Sequence, residues 1–262
     1  MHYQTLLFEI EEGVARITLD RPEAANAVNL TVARELLDAA LRCQREPAVR
    51  AVLLTGQGRL FCAGGDLRDF AAAGDGVGAL LEEITTYLHA AVARFVRLDA
   101  PLVVAVNGTA GGGGMSLVMA ADLVLAAESA RFTMAYTAAG LTPDAGTSFF
   151  LPRLVGWRRA QELIFTNRRL SAAEALDWGL VTRVVPDEQL ADEALAQARC
   201  LAAGPSAAYG AAKRLLARSA GNSLEAQLEL EARAIATAAA SADGREGVRA
   251  FLDKRSPRFS GR

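Results

Sequence analysis

The sequence predicts an α/β fold. Three observations carry that expectation: short apolar runs alternate with helical patterns through the first half, two of those runs end in glycine-rich turns, and the second half is mostly helical in period. Taken in order, Leu6–Ile10 and Val14–Leu19 read as paired strands with Glu11-Glu12-Gly13 turning between them. From Asn29 to Arg45 the apolar residues fall at 30, 32/33, 36/37 and 40/41, the spacing of one helix face, and Pro47 closes the run. Ala51–Thr55 and Leu102–Val106 are short buried strands, and between them Leu80–Leu98 repeats its apolar residues at 80/81, 84, 88, 91/92 and 95, again a helix. Leu123–Ala126 follows as a strand. Helical patterns then occupy roughly 157–166, 171–178, 187–203, 206–218 and 223–240. A composition shift near Gly204-Pro205 divides a core, residues 1–203, from a helical C-terminal region, residues 204–262. The stretch AAAGDGVG at 71–78 is the best candidate for a mobile loop.

Composition narrows the classes of function. Of 262 residues, 52 % are hydrophobic and 22 % charged, enough for a sizeable core with an ordinary surface. A formal net charge of −2 gives no basis for a nucleic-acid partner, which selects clustered positive charge. The cysteines, Cys43, Cys62 and Cys200, are odd in number and far apart, which suits free thiols in a reducing compartment. The N-terminus has no basic lead followed by an apolar stretch. The most apolar region, Pro101–Ala127, is interrupted by Asn107, the glycines 111–114 and Asp122, so it reads as a buried strand, a glycine loop and a buried helix, not as a membrane span. Cytoplasm is the expected location, with no membrane partner.

The two glycine turns share one design. In AVLLTGQGRLFCAGGDL (51–67) and PLVVAVNGTAGGGGMSLVMAADLVLAAESARF (101–132) an apolar strand runs into glycines, which allow positive φ and close approach of a ligand to the backbone. From about Gly113 the second segment becomes helix-forming, and a helix N-terminus offers N–H donors to an anion. Either turn alone is also what a tight bend needs. A dinucleotide fingerprint is disfavoured, because the spacing is not G-x-G-x-x-G and no first βαβ unit carries it.

Together, in this order and separation, the segments resemble the two oxyanion-hole motifs of the enoyl-CoA hydratase/isomerase (crotonase) superfamily. The resemblance extends to RPEAANAVN (21–29), FCAGGDL (61–67), AVNGTAGGGG (105–114), AADLVLAAESARF (120–132), LSAAEALDWGLVTRVV (170–185) and EGVRAFLDKRSPRF (246–259). It implies a spiral of ββα units with a helical C-terminal region that serves oligomerisation, and a homotrimer or a dimer of trimers acting on acyl-CoA thioesters. Coenzyme A would enter as part of the substrate, with no separate cofactor and no metal. Carried over residue by residue, Gly65 and Gly113 would supply two backbone N–H groups to the thioester oxygen. Ala24, Ala63, Asp66, Leu67 and Gly112 sit where the family holds the coenzyme A moiety, and Phe251 and Lys254 fall in a stretch that approaches its nucleotide end. Gly244–Arg262 has six Lys/Arg against two Asp/Glu, which suits phosphates or simply a solvated basic tail.

The sequence departs from a hydratase at two positions. By the register of the glycine run, the two water-activating glutamates of the hydratases would fall at 116 and 136, where this chain has Ser116 and Tyr136, either pocket walls or buried hydroxyls. Neither is a carboxylate base at neutral pH. One acid remains, Asp144 in GLTPDAGTSFFLPRLVG (140–156), at a position resembling the aspartate of ring-epoxide phenylacetyl-CoA isomerases; its alternative role is a helix N-cap after Pro143. The stretch 147–171 and His89 also resemble the 4-chlorobenzoyl-CoA dehalogenases, although Gly65, Leu88 and Tyr136 leave one aromatic ring where those have a walled pocket. The expected activity is therefore an acyl-CoA isomerase moving a proton with Asp144. An enoyl-CoA hydratase, a dehalogenase-like hydrolase and a non-catalytic acyl-CoA binder are the alternatives.

Overall fold

The computed structural model describes residues 3–261. The strands β1 (Leu6–Glu11) and β2 (Val14–Leu19) form an antiparallel hairpin, Leu6 opposite Leu19, closed by Glu12 and Gly13 at positive φ. The chain then enters α1 (Leu30–Arg45), whose Asn29 side chain accepts from the Val32 N–H at 3.1 Å and so caps a free helix donor. Val32, Ala33, Leu36, Ala39, Ala40 and Cys43 are its buried stripe. Next come β3 (Ala51–Gly56), α2 (Leu67–Ala72), α3 (Val77–Arg97), β4 (Leu102–Val106), β5 (Thr109–Gly111), α4 (Gly113–Met119), β6 (Leu123–Ala127) and β7 (Arg131–Thr133). The second half adds α5 (Thr147–Val155), α6 (Trp157–Thr166), β8 (Leu170–Ser171), α7 (Ala172–Asp177), β9 (Arg183–Val185), α8 (Leu190–Ala202), α9 (Ser206–Ser219), α10 (Leu224–Ala240) and α11 (Ala242–Leu252).

Six strands form one sheet in the order β1-β2-β3-β4-β6-β9, parallel from β2 onward. Strands β5, β7 and β8 form a second sheet in the order β5-β7-β8. Strand β4 is buried along its whole length, as expected of a parallel strand with both faces covered. Each strand-helix-strand step advances the chain by one strand, which is the expected spiral α/β architecture with helices gathered at the C-terminus.

The 71–78 stretch is not a loop. Helix α2 runs to Ala72, a 3-10 turn spans Gly74–Gly76, and α3 starts at Val77. The alanines continue helix α2, and the glycines only mark the bend into the next one. Past Gly204-Pro205, helix α9 is tied to the core by the Lys213 to Asp122 ion pair at 2.6 Å, and Arg50 donates to the carbonyls of Gly204 and Phe259. Helix α10 has no buried residue. Among the described residues, no helix is long and apolar enough to cross a membrane.

Candidate active site

The site begins with the loop 21–29. Asn26, held at φ 52° in the left-handed region, donates from Nδ2 to the carbonyls of Gln57 at 2.9 Å and Leu60 at 2.8 Å. The Ala63 N–H donates to Ala25, and the Val28 N–H to Gly64, so this loop is strapped along the first glycine turn. Val28 and Gly65 form a parallel bridge through the Gly64 carbonyl and the Asp66 N–H. In that pattern the N–H of Gly65 itself points to the opposite side, away from Val28.

The second glycine turn lies against the first. Gly111 donates to the Cys62 carbonyl at 2.9 Å and Gly112 to the Thr133 carbonyl at 3.2 Å. Gly112 adopts φ 45°, ψ −121°, a conformation open only to glycine, and turns the chain into α4. A Cβ on Gly114 would lie 2.4 Å from the Cys62 carbonyl oxygen, so that glycine is required for close packing. A Cβ on Gly113 would meet nothing within 4 Å. Among the described residues, neither the Gly65 nor the Gly113 N–H has a hydrogen-bond acceptor.

Both glycines line a cavity of about 250 Å³. Ala63, Gly112, Leu67, Phe70, Tyr136 and Asp144 line it as well. The Phe70 ring covers Gly65, where a Cβ would come within 2.6 Å of it. Asp144 is held by the Tyr136 hydroxyl, which donates to Oδ1 at 2.6 Å. Its side chain does not cap a helix: α5 begins at Thr147 with Gly146 as its N-cap, and only the Asp144 carbonyl accepts from Thr147. Ala145, at φ 46°, turns the chain behind it and donates its N–H to His89 Nε2 at 3.0 Å. That nitrogen stands 3.8 Å from Asp144 Oδ2, too far for a hydrogen bond. The lone pair of Nε2 is spent on the Ala145 N–H.

Ser116 is fully buried behind the cavity, with Oγ 3.0 Å from the Tyr136 hydroxyl and 2.7 Å from Thr147 Oγ1. Burial, then the charge and hydrogen bond of Asp144, push the Tyr136 phenol well above its ordinary range, so it is a donor and not an anion. Cys62 is likewise raised to about 11 by burial and is no nucleophile.

The remaining sequence candidates lie elsewhere. Asp66 is buried, caps α2 through the Arg68 N–H and pairs with Arg21 at 3.0 Å, so its carboxylate is engaged within the fold. Ala24 sits in the 3-10 turn Pro22–Ala24. Phe251, 84 % exposed, and Lys254, at φ 52°, lie at the end of α11, outside the cavity lining. Arg255 is engaged by both oxygens of Glu246 at 2.7 and 2.9 Å, which removes one of the six basic charges of the tail from the pool available to a phosphate. Sequence reasoning missed Arg21, Asn26, Phe70 and Thr147. Arg21 and Asn26 lie within the quoted RPEAANAVN motif, where the left-handed turn at Asn was the available signal.

Comparison with known proteins agrees with this architecture. Residues 9–262 match the family model described as enoyl-CoA hydratase/isomerase. The chain is 46 % identical, over all of both chains, to a Rhodobacter capsulatus protein named "probable enoyl-CoA hydratase". It is 41 % identical to the 1,2-epoxyphenylacetyl-CoA isomerase of Escherichia coli, over 98 % of each. The crystal structure of an enoyl-CoA hydratase from Polaromonas superposes with a TM-score of 0.93 at 33 % identity, covering 97 % of this chain and 99 % of that one. With this fold, these paired glycine turns and these matches, the chain belongs to the enoyl-CoA hydratase/isomerase family and has the crotonase fold.

Proposed function

We propose that the protein is an acyl-CoA isomerase in which Asp144 moves a proton across an enolate stabilised by Gly65 and Gly113. The observation carrying this reading is that one carboxylate and two unpaired backbone N–H groups line the same cavity. Asp144 takes a proton from the α-carbon, the electron pair moves onto the thioester oxygen, and the two N–H groups donate to that oxygen. Asp144 then returns the proton to another carbon, so atoms balance without a second acid. Losing one such donor typically costs about 3–4 kcal/mol of transition-state stabilisation. Leu67, Phe70 and Leu88 give the acyl group an apolar wall.

Homo-oligomerisation belongs to the same proposal: α10 has no fully buried residue and exposes Leu224, Leu228 and Ile235, surface that a second copy would cover, in a trimer or a dimer of trimers. Hydratase activity is the second reading, favoured by the name of the Rhodobacter capsulatus relative. Against it, Ser116 and Tyr136 present hydroxyls already engaged with each other and no second carboxylate lines the cavity among the described residues.

The test is Asp144→Asn. Turnover of a 3-enoyl-CoA and of an aryl-acetyl-CoA epoxide should fall by about 10²–10⁴-fold, with thioester affinity by calorimetry nearly intact. Full activity in the Asn variant would remove Asp144 from the chemistry and favour a binder or a different base.

A further inference from the structure

We infer that a one-way chain of buried hydroxyls, Thr147 to Ser116 to Tyr136, fixes Oδ1 of Asp144 and leaves Oδ2 as the oxygen that carries the proton. The inference rests on Asp144 being the base, as proposed above. Its direction follows from hydrogen-bond chemistry. An ionised carboxylate only accepts, so the Tyr136 hydroxyl, 2.6 Å from Oδ1, must donate to it. With its one proton committed, Tyr136 can only accept from Ser116 Oγ at 3.0 Å. Ser116 in turn accepts from Thr147 Oγ1 at 2.7 Å. The carbonyl of Asp144, 3.3 Å from Ser116 Oγ, is the longer alternative acceptor.

Burial makes the chain exclusive. Ser116 and Thr147 have no exposed surface, so water does not compete for their bonds. The raised Tyr136 phenol keeps its proton throughout the range in which a carboxylate works. Hydroxyls in series polarise one another, which strengthens the last bond of the chain, the one to Asp144. On the other side, Oδ2 has no hydrogen bond among the described residues. The ionisable groups that face Asp144 are Tyr136 from the 131–147 segment and His89 from α3; Ser116 and Thr147 are neutral, and His89 Nε2 already accepts from Ala145. Within the cavity lining itself, Tyr136 and Asp144 are the ionisable side chains. One oxygen is thus anchored and the other is left without a hydrogen bond among the described residues. Tyr136 is then a positioning residue: its bond holds the carboxylate rotamer.

The experiment follows α-hydrogen exchange into 3-hexenoyl-CoA and phenylacetyl-CoA in D₂O by NMR, as a function of pH, for the wild-type protein and three variants, each checked by thermal melt. Tyr136→Phe should slow exchange about tenfold at its plateau, because the carboxylate is no longer held in its rotamer. It should leave KM nearly unchanged. Ser116→Ala should do the same to a smaller extent, because only the polarising donor behind Tyr136 is lost. Asp144→Asn should show no exchange at any pH. If Asp144→Asn is inactive while Tyr136→Phe keeps the wild-type rate, the chain is refuted and the base assignment stands. If Tyr136→Phe does not fold, an unchanged rate in Ser116→Ala refutes it equally. Wild-type exchange in Asp144→Asn, or none in the wild-type protein, overturns the base assignment and the chain with it.

Discussion

Gly113→Pro removes one proposed oxyanion donor at little structural cost. Gly113 is the first residue of α4 and does not have positive φ, so proline's fixed φ suits it. Among the described residues its N–H makes no hydrogen bond, so none is broken. The preceding residue, Gly112 at φ 45°, ψ −121°, lies in the mirror image of the extended region that residues before proline favour, and it has no Cβ to clash with the ring. A carbon added at Gly113 meets nothing within 4 Å. The melting temperature should therefore stay close to that of the wild-type protein, while kcat falls by about 10²–10³-fold, equivalent to about 2.7–4 kcal/mol. Gly113→Ala is the control, since it keeps the donor and adds one carbon in the same open space; it should lose far less. The assay is turnover of a 3-enoyl-CoA alongside thermal melts of both variants. A folded Gly113→Pro protein turning over at the wild-type rate would refute the oxyanion assignment. Equal losses in the Pro and Ala variants would assign the effect to crowding of the cavity instead.

Two further outcomes follow from the same geometry. Hydration of crotonyl-CoA, followed by loss of the conjugated thioester absorbance, should run far below the about 10³ s⁻¹ of fast enzymes, because the hydroxyls of Ser116 and Tyr136 cannot take a proton from water; hydratase-grade turnover would reveal a second acid/base pair. At the C-terminus, Arg255 and then the Arg258 N–H hold Glu246 down from 4.5 to about 2. A depressed carboxylate stabilises the fold above its unfolded value and loses that effect as pH falls through about 2. Glu246→Gln should therefore free the 253–261 segment at neutral pH, read as faster tryptic cleavage after Arg255 and Arg258, and unchanged cleavage would show that the segment is held by other contacts, such as Asp243 with the Ser260 and Gly261 N–H groups.

Long periodic elements were legible in the sequence by itself. The expected strands Val14–Leu19 and Leu102–Val106 and the helix at 157–166 coincide with the structure, because an amphipathic period or a short apolar run is a local property. Strands β5, β7, β8 and β9, of two or three residues each, were not legible, since nothing that short has a period and each is defined by its partner. Helix α5 was hidden by Pro152, which ordinarily argues against a helix interior, and α11 by the basic residues that made it read as a tail. At the site, the glycine turns and Asp144 were proposed through their resemblance to the motifs of the crotonase family. What only the tertiary structure decided is how side chains far apart in sequence meet. Asp66 is answered by Arg21 across 45 residues, and Ser116 by Thr147 across 31. Packing, not spacing, closes such hydrogen bonds: the helix α4 must lie against the turn before α5 before a serine and a threonine can be 2.7 Å apart and before one oxygen of Asp144 differs from the other.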